Sequence, residues 1–540
     1  MPSLRVPFFL PLRMFVLLAA LAMTLSAQGA GWESVGAFGF SSGTAVTPFL
    51  TIDPDDDAPV VTYQSSAFSA SVTEKHSAAG WQILGPGFAT TGTGWYHVSA
   101  WLEVPGTPAH DLLVFTRDYG AVDGHLKRYD FQSGGWIDHP LAAPMDAHDV
   151  WIDVNSSNPS SPFHNIPVVS FSDRSTNPTL PVGSLGYNPN LDFVTVKKFE
   201  NGNWVPLGPV PATDTVGKHS TVKVADDGTV WMAYRDLWRA SSATVQRFDP
   251  STESWSFAGP PGFTSHPANN LQMDLAPGGI PRVSCLDGAG AIRVYEYDAT
   301  TDSWFQLGGP ASASDQATIA GASWRMRVPI THDSTGAPYV AYNLAGSPGR
   351  AVVRRYDAAG GLWEAVGDPT GATPGTATYL SLAVDSLDRV HLCYTDGAFA
   401  NRVSVIRSPA AEPPVVLGPG CSLPATVPVA SLSGSGLGPL EGQPYTFSIA
   451  GGPSQAAGVL YAGSAGSPPY WWIGPNCLVY LWIPIVQVAS FTTDAAGGID
   501  FPFLAPAGTA GLEFALQAIV LDGAGGWTLT DGLACTVQAP

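Results

Sequence analysis

The sequence predicts an all-β chain: a seven-bladed β-propeller whose N-terminal strand closes the last blade, followed by a small β-sandwich. Tryptophan recurs at intervals of about fifty residues, the signature of stacked repeat units. The stretches between tryptophans read as short alternating strands, with no amphipathic helical period between residues 32 and 407. The repeat is also incomplete in complementary ways at its two ends, which is what a closed ring requires.

The tryptophans are Trp32, Trp81, Trp136, Trp204, Trp255, Trp304 and Trp363, spaced by 49, 55, 68, 51, 49 and 59 residues. Six open W-x-x-x-G, ending at Gly36, Gly85, Gly208, Gly259, Gly308 and Gly367; after Trp136 that place holds Pro140. An aromatic-Asp pair precedes four of them at one distance: Tyr129-Asp130, Phe248-Asp249, Tyr297-Asp298 and Tyr356-Asp357. Within a unit, TPFLTID, PVVTYQ, ASVTEKH and WQILG form strands A to D of an antiparallel blade, separated by turn residues. Trp32 opens a D-type strand with nothing before it, and the last unit (379–408) has no D strand after it. The N-terminal strand therefore completes the last blade, and the blade count is seven.

These units resemble kelch repeats, whose Tyr-Asp-turn-Trp segment is matched by RFDPSTESW (247–255). The place of the kelch Gly-Gly pair is taken here by Y-R-D, C-L-D or Y-T-D, so the propeller (30–408) is kelch-like and not kelch proper. After a linker (409–420) the composition changes: residues 421–540 hold six acids and no Lys, Arg or His. GPGC, EGQPYTFSIAG, PNCLVY and TDAAGGIDFPFLAP resemble a C-terminal module of secreted planctomycete-type bacterial proteins. The resemblance implies a β-sandwich that acts as an accessory for sorting or surface retention, and it favours a Cys421–Cys477 disulfide. Pairing of Cys535 with Cys421 stays open. Cys285 and Cys393 fall on B strands two blades apart, too far to bridge.

Residues 1–29 read as a signal peptide. Arg5 and Arg13 precede the apolar run Met14 to Leu25, and small residues allow cleavage after Ala27 or Gly29. The run is too short to span a bilayer as a helix, although a retained N-terminal anchor is the rival reading. The expected address is therefore secreted, extracellular or surface-associated. Lys and Arg number 24 against 44 Asp and Glu, a net charge of −20, which argues against nucleic-acid or anionic-membrane partners. Gly (59) and Pro (48) are numerous because many strand connections need turns.

Propeller geometry gathers the B–C and D–A loops around one mouth of the central channel. B strands end there with Asp118, Asp173, Asp236, Asp287 and Asp396, some flanked by arginines such as Arg235. The acids either cap their own turns or form a ring that binds a cation or sugar hydroxyls. A strands begin there with His97, His148, His219, His266, Arg325, Arg327 and Tyr379, four histidines at analogous places. Asp53, Asp55 and Asp57 alternate in the first A–B turn as calcium ligands do, so calcium is the one cofactor with a sequence signal. The third unit carries two insertions, 155–165 and 174–193, the second on the mouth face. The functional expectation is a non-catalytic binding or surface-interaction protein for a glycan or another surface protein. The alternative is an extracellular glycoside hydrolase or lyase with its site at the channel mouth.

Overall fold

The structure is a computed structural model. It describes residues 32–85, 94–118, 124–139, 147–173, 192–312, 317–319, 326–345, 349–358 and 360–408 of the first unit. In the second it describes 415–418, 421–423, 428–434, 439, 444–465, 471–474, 477–479, 481–504, 512–522 and 526–536. The expected signal peptide 1–29, Arg325 and all but the last two residues of the expected mouth insertion 174–193 lie outside these residues, as do the side chains of Asp118, His148, Cys421 and Cys477. The chain divides at Ser408/Pro409 into two compact units.

Seven antiparallel sheets make up the first unit, and in five of them four consecutive strands pair in sequence order. Blade 1 runs Ala45–Ile52, Pro59–Ser65, Ala70–Ser77 and Gly80–Ile83. Blades 2 to 5 repeat the order over 94–139, 147–206, 217–257 and 269–306. Blade 7 takes its outer strand from the other end of the chain: Glu33–Ser34 lies on Arg402–Arg407, with Glu33 opposite Arg407 and Ser34 opposite Ile406. Phe40 and Val35 donate further backbone bonds to Val403 and Val405.

Burial explains why each strand has its composition. B strands sit between neighbouring blades with both faces covered, so PVVTYQS, VVSFSD and VHLCYTD are buried at every position. The outermost strands meet solvent and keep little more than their tryptophan covered. Among the described residues no helix is long and apolar enough to cross a membrane.

The W-x-x-x-G repeat has a mechanical meaning. Each indole N–H reaches across to the carbonyl three residues beyond the preceding blade's tryptophan. Trp81 bonds Val35, Trp136 bonds Leu84, Trp255 bonds Leu207, Trp304 bonds Ala258 and Trp363 bonds Leu307, at 2.8–3.1 Å. Trp32 closes the circle on Val366 at 3.0 Å. The glycine after each acceptor adopts the left-handed conformation that turns the carbonyl toward the indole. At Gly208 φ is +79°, and a Cβ there would stand 2.9 Å from Trp255 Cδ1. Gly208→Ala is therefore expected to lower unfolding stability by about 2 kcal/mol, measurable by urea denaturation, from backbone strain and the displaced indole. The exception confirms the logic: Trp204, whose partner segment has Pro140 in place of glycine, is buried with its N–H unbonded among the described residues.

A second repeated feature sits on the innermost strands. In blades 1 to 5 and 7 the A–B register slips so that two A-strand residues face one B-strand residue. The first residue of each bulge is left-handed: Thr47, Tyr96, Asp149, His219, Asn270 and Tyr379, with φ between +50° and +58°. In blade 6 the same place holds an insertion. Ala317–Thr318 and Ile330–His332 both pair with Pro338–Leu344, and eleven residues separate Thr318 from Ile330 where two separate their partners Asn343 and Val340.

The second unit is a β-sandwich. A large sheet contains Ala457–Ala465, Leu481–Thr492, Glu513–Leu521 and Gly532–Thr536, and a three-stranded sheet contains Ser431–Gly434, Pro444–Ala450 and Ile499–Leu504. Phe447, Tyr445 and Ile449 of the smaller sheet share one core with Leu460, Leu516, Ala518 and Val520 of the larger. Cys535 is a free thiol buried in that core, and Cys285 and Cys393 are free and buried in blades 5 and 7.

Candidate functional site: the propeller channel

The inner strands surround a cavity of about 470 Å³ on the propeller axis. Phe49, Trp101, Trp151, Tyr379 and Met326 form part of its wall, with Pro54, Leu380 and Leu382. Trp101 is fixed by an indole bond to Thr51 Oγ1 at 2.9 Å, and Trp151 meets Phe49 edge-on at 5.8 Å. Among this apolar surface stand two groups of charged side chains.

The first group is built on the bulges and the blade 6 insertion. Asn270, at the blade 5 bulge, holds the end of that insertion. Its side-chain amide donates to Met326 O at 2.9 Å, and its carbonyl accepts from Val328 N at 2.7 Å. This grip delivers Arg327 to the cavity wall, where Nη1 lies 3.5 Å from Asp149 Oδ1 of blade 3. Asp149 Oδ2 accepts the backbone N–H of His219 at 3.1 Å. Burial pushes the Asp149 carboxyl up, but the neighbouring charges, Arg327 foremost, outweigh it and hold the group below the usual carboxylate range. His219 is pushed down to about 3, first by burial and then by the Arg327 charge, so it is neutral at physiological pH.

The second group comes from the far ends of the inner strands. Lys223 Nζ stands 2.9 Å from Asp274 Oδ1 and 3.5 Å from Asp153 Oδ1, and His332 Nδ1 is 3.0 Å from Asp274 Oδ2. Lys223, Asp153 and Asp274 all line the cavity. The two carboxyls are driven apart. Burial and the nearby Asp274 charge raise Asp153 against the pull of Lys223, whereas at Asp274 Lys223 and His332 overcome burial and lower it.

The residues singled out in the sequence are distributed otherwise. Asp236 accepts the backbone N–H groups of Trp238 and Arg239 and the Arg239 guanidinium at 2.5 Å. Asp287 binds the N–H groups of Ala289 and Ala291 and Arg293 Nε at 2.7 Å, and Asp396 binds Ala398 N and Ser404 Oγ. Each therefore caps its own B–C turn. Asp173 is buried at the end of its strand, and burial lowers the Arg235 guanidinium of blade 4.

The four histidines are not equivalent, because each stands at a different place relative to its blade's bulge. His219 is the first bulge residue, His97 the second, His148 precedes its bulge, and His266 sits before the strand, bonded to Tyr295 Oη at 2.7 Å. His97 lines the cavity but is saturated, with Nδ1 3.0 Å from Thr47 O and Nε2 2.8 Å from Ser71 Oγ. Burial pushes it down to about 4.

The three acids of the first A–B turn also diverge. Asp53 pairs with Lys75 at 2.6 Å, Asp55 with His110 of blade 2 at 2.7 Å, and Asp57 accepts Ser386 of blade 7. Among the described residues no three His, Cys, Asp or Glu side chains converge as a metal site. The first insertion of the third unit is an ordered clamp. Asn155 and Asn158 bond Asp226 of blade 4, and Asn165 bonds Glu103 of blade 2 through both amide atoms.

His97 and His219 have a consequence for acid stability. Both are held far below the ordinary 6.5, so they stabilise the fold fully above that pH, and the contribution is lost as pH falls toward their folded values. Between pH 6 and 4 melting curves should fall with a slope of up to about 1.4 kcal/mol per pH unit for each histidine. His219→Asn should reduce that slope; an unchanged slope would mean that His219 protonates freely.

No protein-family model matches this chain, and neither does any curated protein. Among solved structures it is similar to a protein of unknown function from Dyadobacter fermentans, at 12% identity over 70% of this chain and 98% of that one, with a TM-score of 0.38. It is also similar to the Aleuria aurantia lectin in complex with Fucalpha1-6GlcNAc (12%, 60% and 96%, TM-score 0.39) and to an oligogalacturonate lyase in complex with manganese (12%, 69% and 98%, TM-score 0.38). The propeller itself rests on the strand pairings above, not on these likenesses.

Proposed function

We propose that this chain is an exported, kelch-like binding protein that takes a saccharide in its propeller channel, with the C-terminal sandwich as an accessory for surface retention. The observation that carries the reading is the cavity of about 470 Å³, in which indole and phenyl faces alternate with charged side chains. Its size suits a small oligomer of sugars. Aromatic faces accept the C–H faces of pyranose rings, and carboxylates accept their hydroxyl protons. The mouth acids favour this location too, since Asp236, Asp287 and Asp396 are spent on their own turns.

Calorimetric titration of residues 30–540 with an oligosaccharide panel tests the reading. Binding is expected, weakened by Trp101→Ala about tenfold or more as the stacking face is lost. Binding indifferent to Trp101 would place the ligand elsewhere, and no binding across the panel would overturn the proposal. Export and retention are checked by N-terminal sequencing of the mature chain and by deleting residues 421–540. Retention unchanged by the deletion would sink the sorting role.

The rival, hydrolysis, is favoured by one observation, the opposed shifts of Asp153 and Asp274 across Lys223, since glycosidases divide acid and base roles between two such groups. Release of reducing ends from the same panel, abolished by Asp153→Asn, would establish it.

A further inference from the structure

Arg327 is poorly employed by the fold. Its side chain is only 9% exposed, yet Nε and Nη1 meet no hydrogen-bond acceptor among the described residues. The Asp149 oxygen facing it at 3.5 Å also lacks a hydrogen-bond partner, so the pair attracts through space without closing a bond. Such a guanidinium retains its capacity for a planar, bidentate acceptor. The sequence has gone to some length to place it: the two-residue bulge of the other blades is replaced in blade 6 by an insertion, whose end Asn270 holds from both sides.

Resting on the saccharide reading above, we infer that the channel selects acidic sugars, with Arg327 binding the carboxylate of a uronic acid. A single guanidinium, held 3.5 Å from Asp149 without a hydrogen bond, offers one fork, which suits one carboxylate and not a dianion. A carboxylate also matches its planar fork. Asp153 and Asp274, on the same cavity, accept hydroxyl protons from the rest of the ligand, and Trp101 takes a ring face. The chain's overall charge of −20 works against anions in general, so binding one here requires a dedicated cation such as this.

The experiment uses the mature chain and four uronate disaccharides (glucuronate, galacturonate, mannuronate and guluronate), each beside its carboxyl-reduced neutral counterpart. At least one uronate should bind about tenfold or more tightly than its neutral counterpart. Arg327→Gln should abolish that preference, with Arg327→Lys restoring part of it. Asp149→Asn should leave the preference intact or enlarge it, whereas a purely structural ion pair would make Arg327→Gln and Asp149→Asn equally damaging to melting temperature and silent on selectivity. Equal affinity for uronates and neutral counterparts overturns the inference and leaves the saccharide reading standing. Failure of every sugar to bind overturns both.

Discussion

Lys223→Met is expected to destabilise the propeller by about 3 kcal/mol, because it strips the counter-ion from two carboxylates that flank it on the neighbouring inner strands. This is the lower end of the range for breaking a buried pair. Side-chain exposures of 23% for Lys223, 19% for Asp153 and 18% for Asp274 let solvent share some of the cost. Asp274 supplies the sign check. Its folded pKa lies below the ordinary 3.8, so its contribution is present above that value and is lost below it. The variant should therefore lose most stability near neutral pH and converge on the parent as acid protonates the carboxyls. Chemical denaturation at pH 7 and pH 3 measures both. The triple variant Lys223→Met/Asp153→Asn/Asp274→Asn should recover most of the loss, and a midpoint unmoved by Lys223→Met would show that the two carboxylates do not depend on this cation.

Trp255→Ala is expected to cost about 3–5 kcal/mol, since it opens a cavity at a blade boundary and orphans the Leu207 carbonyl. The phenylalanine variants separate packing from hydrogen bonding. Trp255→Phe keeps a ring but loses the 2.8 Å bond, for a further distinguishable loss of about 1 kcal/mol from the bond alone. Trp204→Phe is expected to lose no hydrogen bond, because the indole N–H has no partner among the described residues, and to relieve a buried donor. Guanidinium melts of the two variants should therefore differ in midpoint, with Trp204→Phe the less affected. Equal losses would refute the hydrogen-bonded ring as a source of stability.

The same tryptophans show why the architecture was readable from sequence. The indole, its acceptor and the left-handed glycine are encoded within five residues and recur in nearly every blade, so Trp81, Trp136 and Trp255 announce both period and geometry. The chain ends supplied the blade count, because Trp32 opened a strand without a sheet and Arg407 ended a sheet without its last strand. The site was less legible for two physical reasons. His97, His148, His219 and His266 all fall near the start of an A strand, but each stands at a different place relative to the bulge, and one residue along a strand reverses the face. Radial convergence also brings together groups with no local signature: Asp149 with Arg327, and Lys223 with Asp153 and Asp274. Arg327 was visible as a residue at the start of an A strand but not its Asp149 partner, and the 59-residue spacing before Trp363, ten more than the one before it, marks the insertion that carries it. The acidic turns were visible as residues but ambiguous in purpose, since a cap and a ligand ring present the same Asp until the turn amides are seen.

The pairing of Glu33–Ser34 with Arg402–Arg407 has a temporal consequence. Those partners are more than 370 residues apart, so the first strand of the propeller waits for nearly all the others before it finds its sheet. Closing so long a loop costs chain entropy before any bond repays it, so the seventh blade should be the slow step of assembly. Once made, the junction works in reverse: no blade can peel from the ring until residues 33–34 detach, so the lifetime of the folded propeller is set at the seam between residues 33–34 and 402–407.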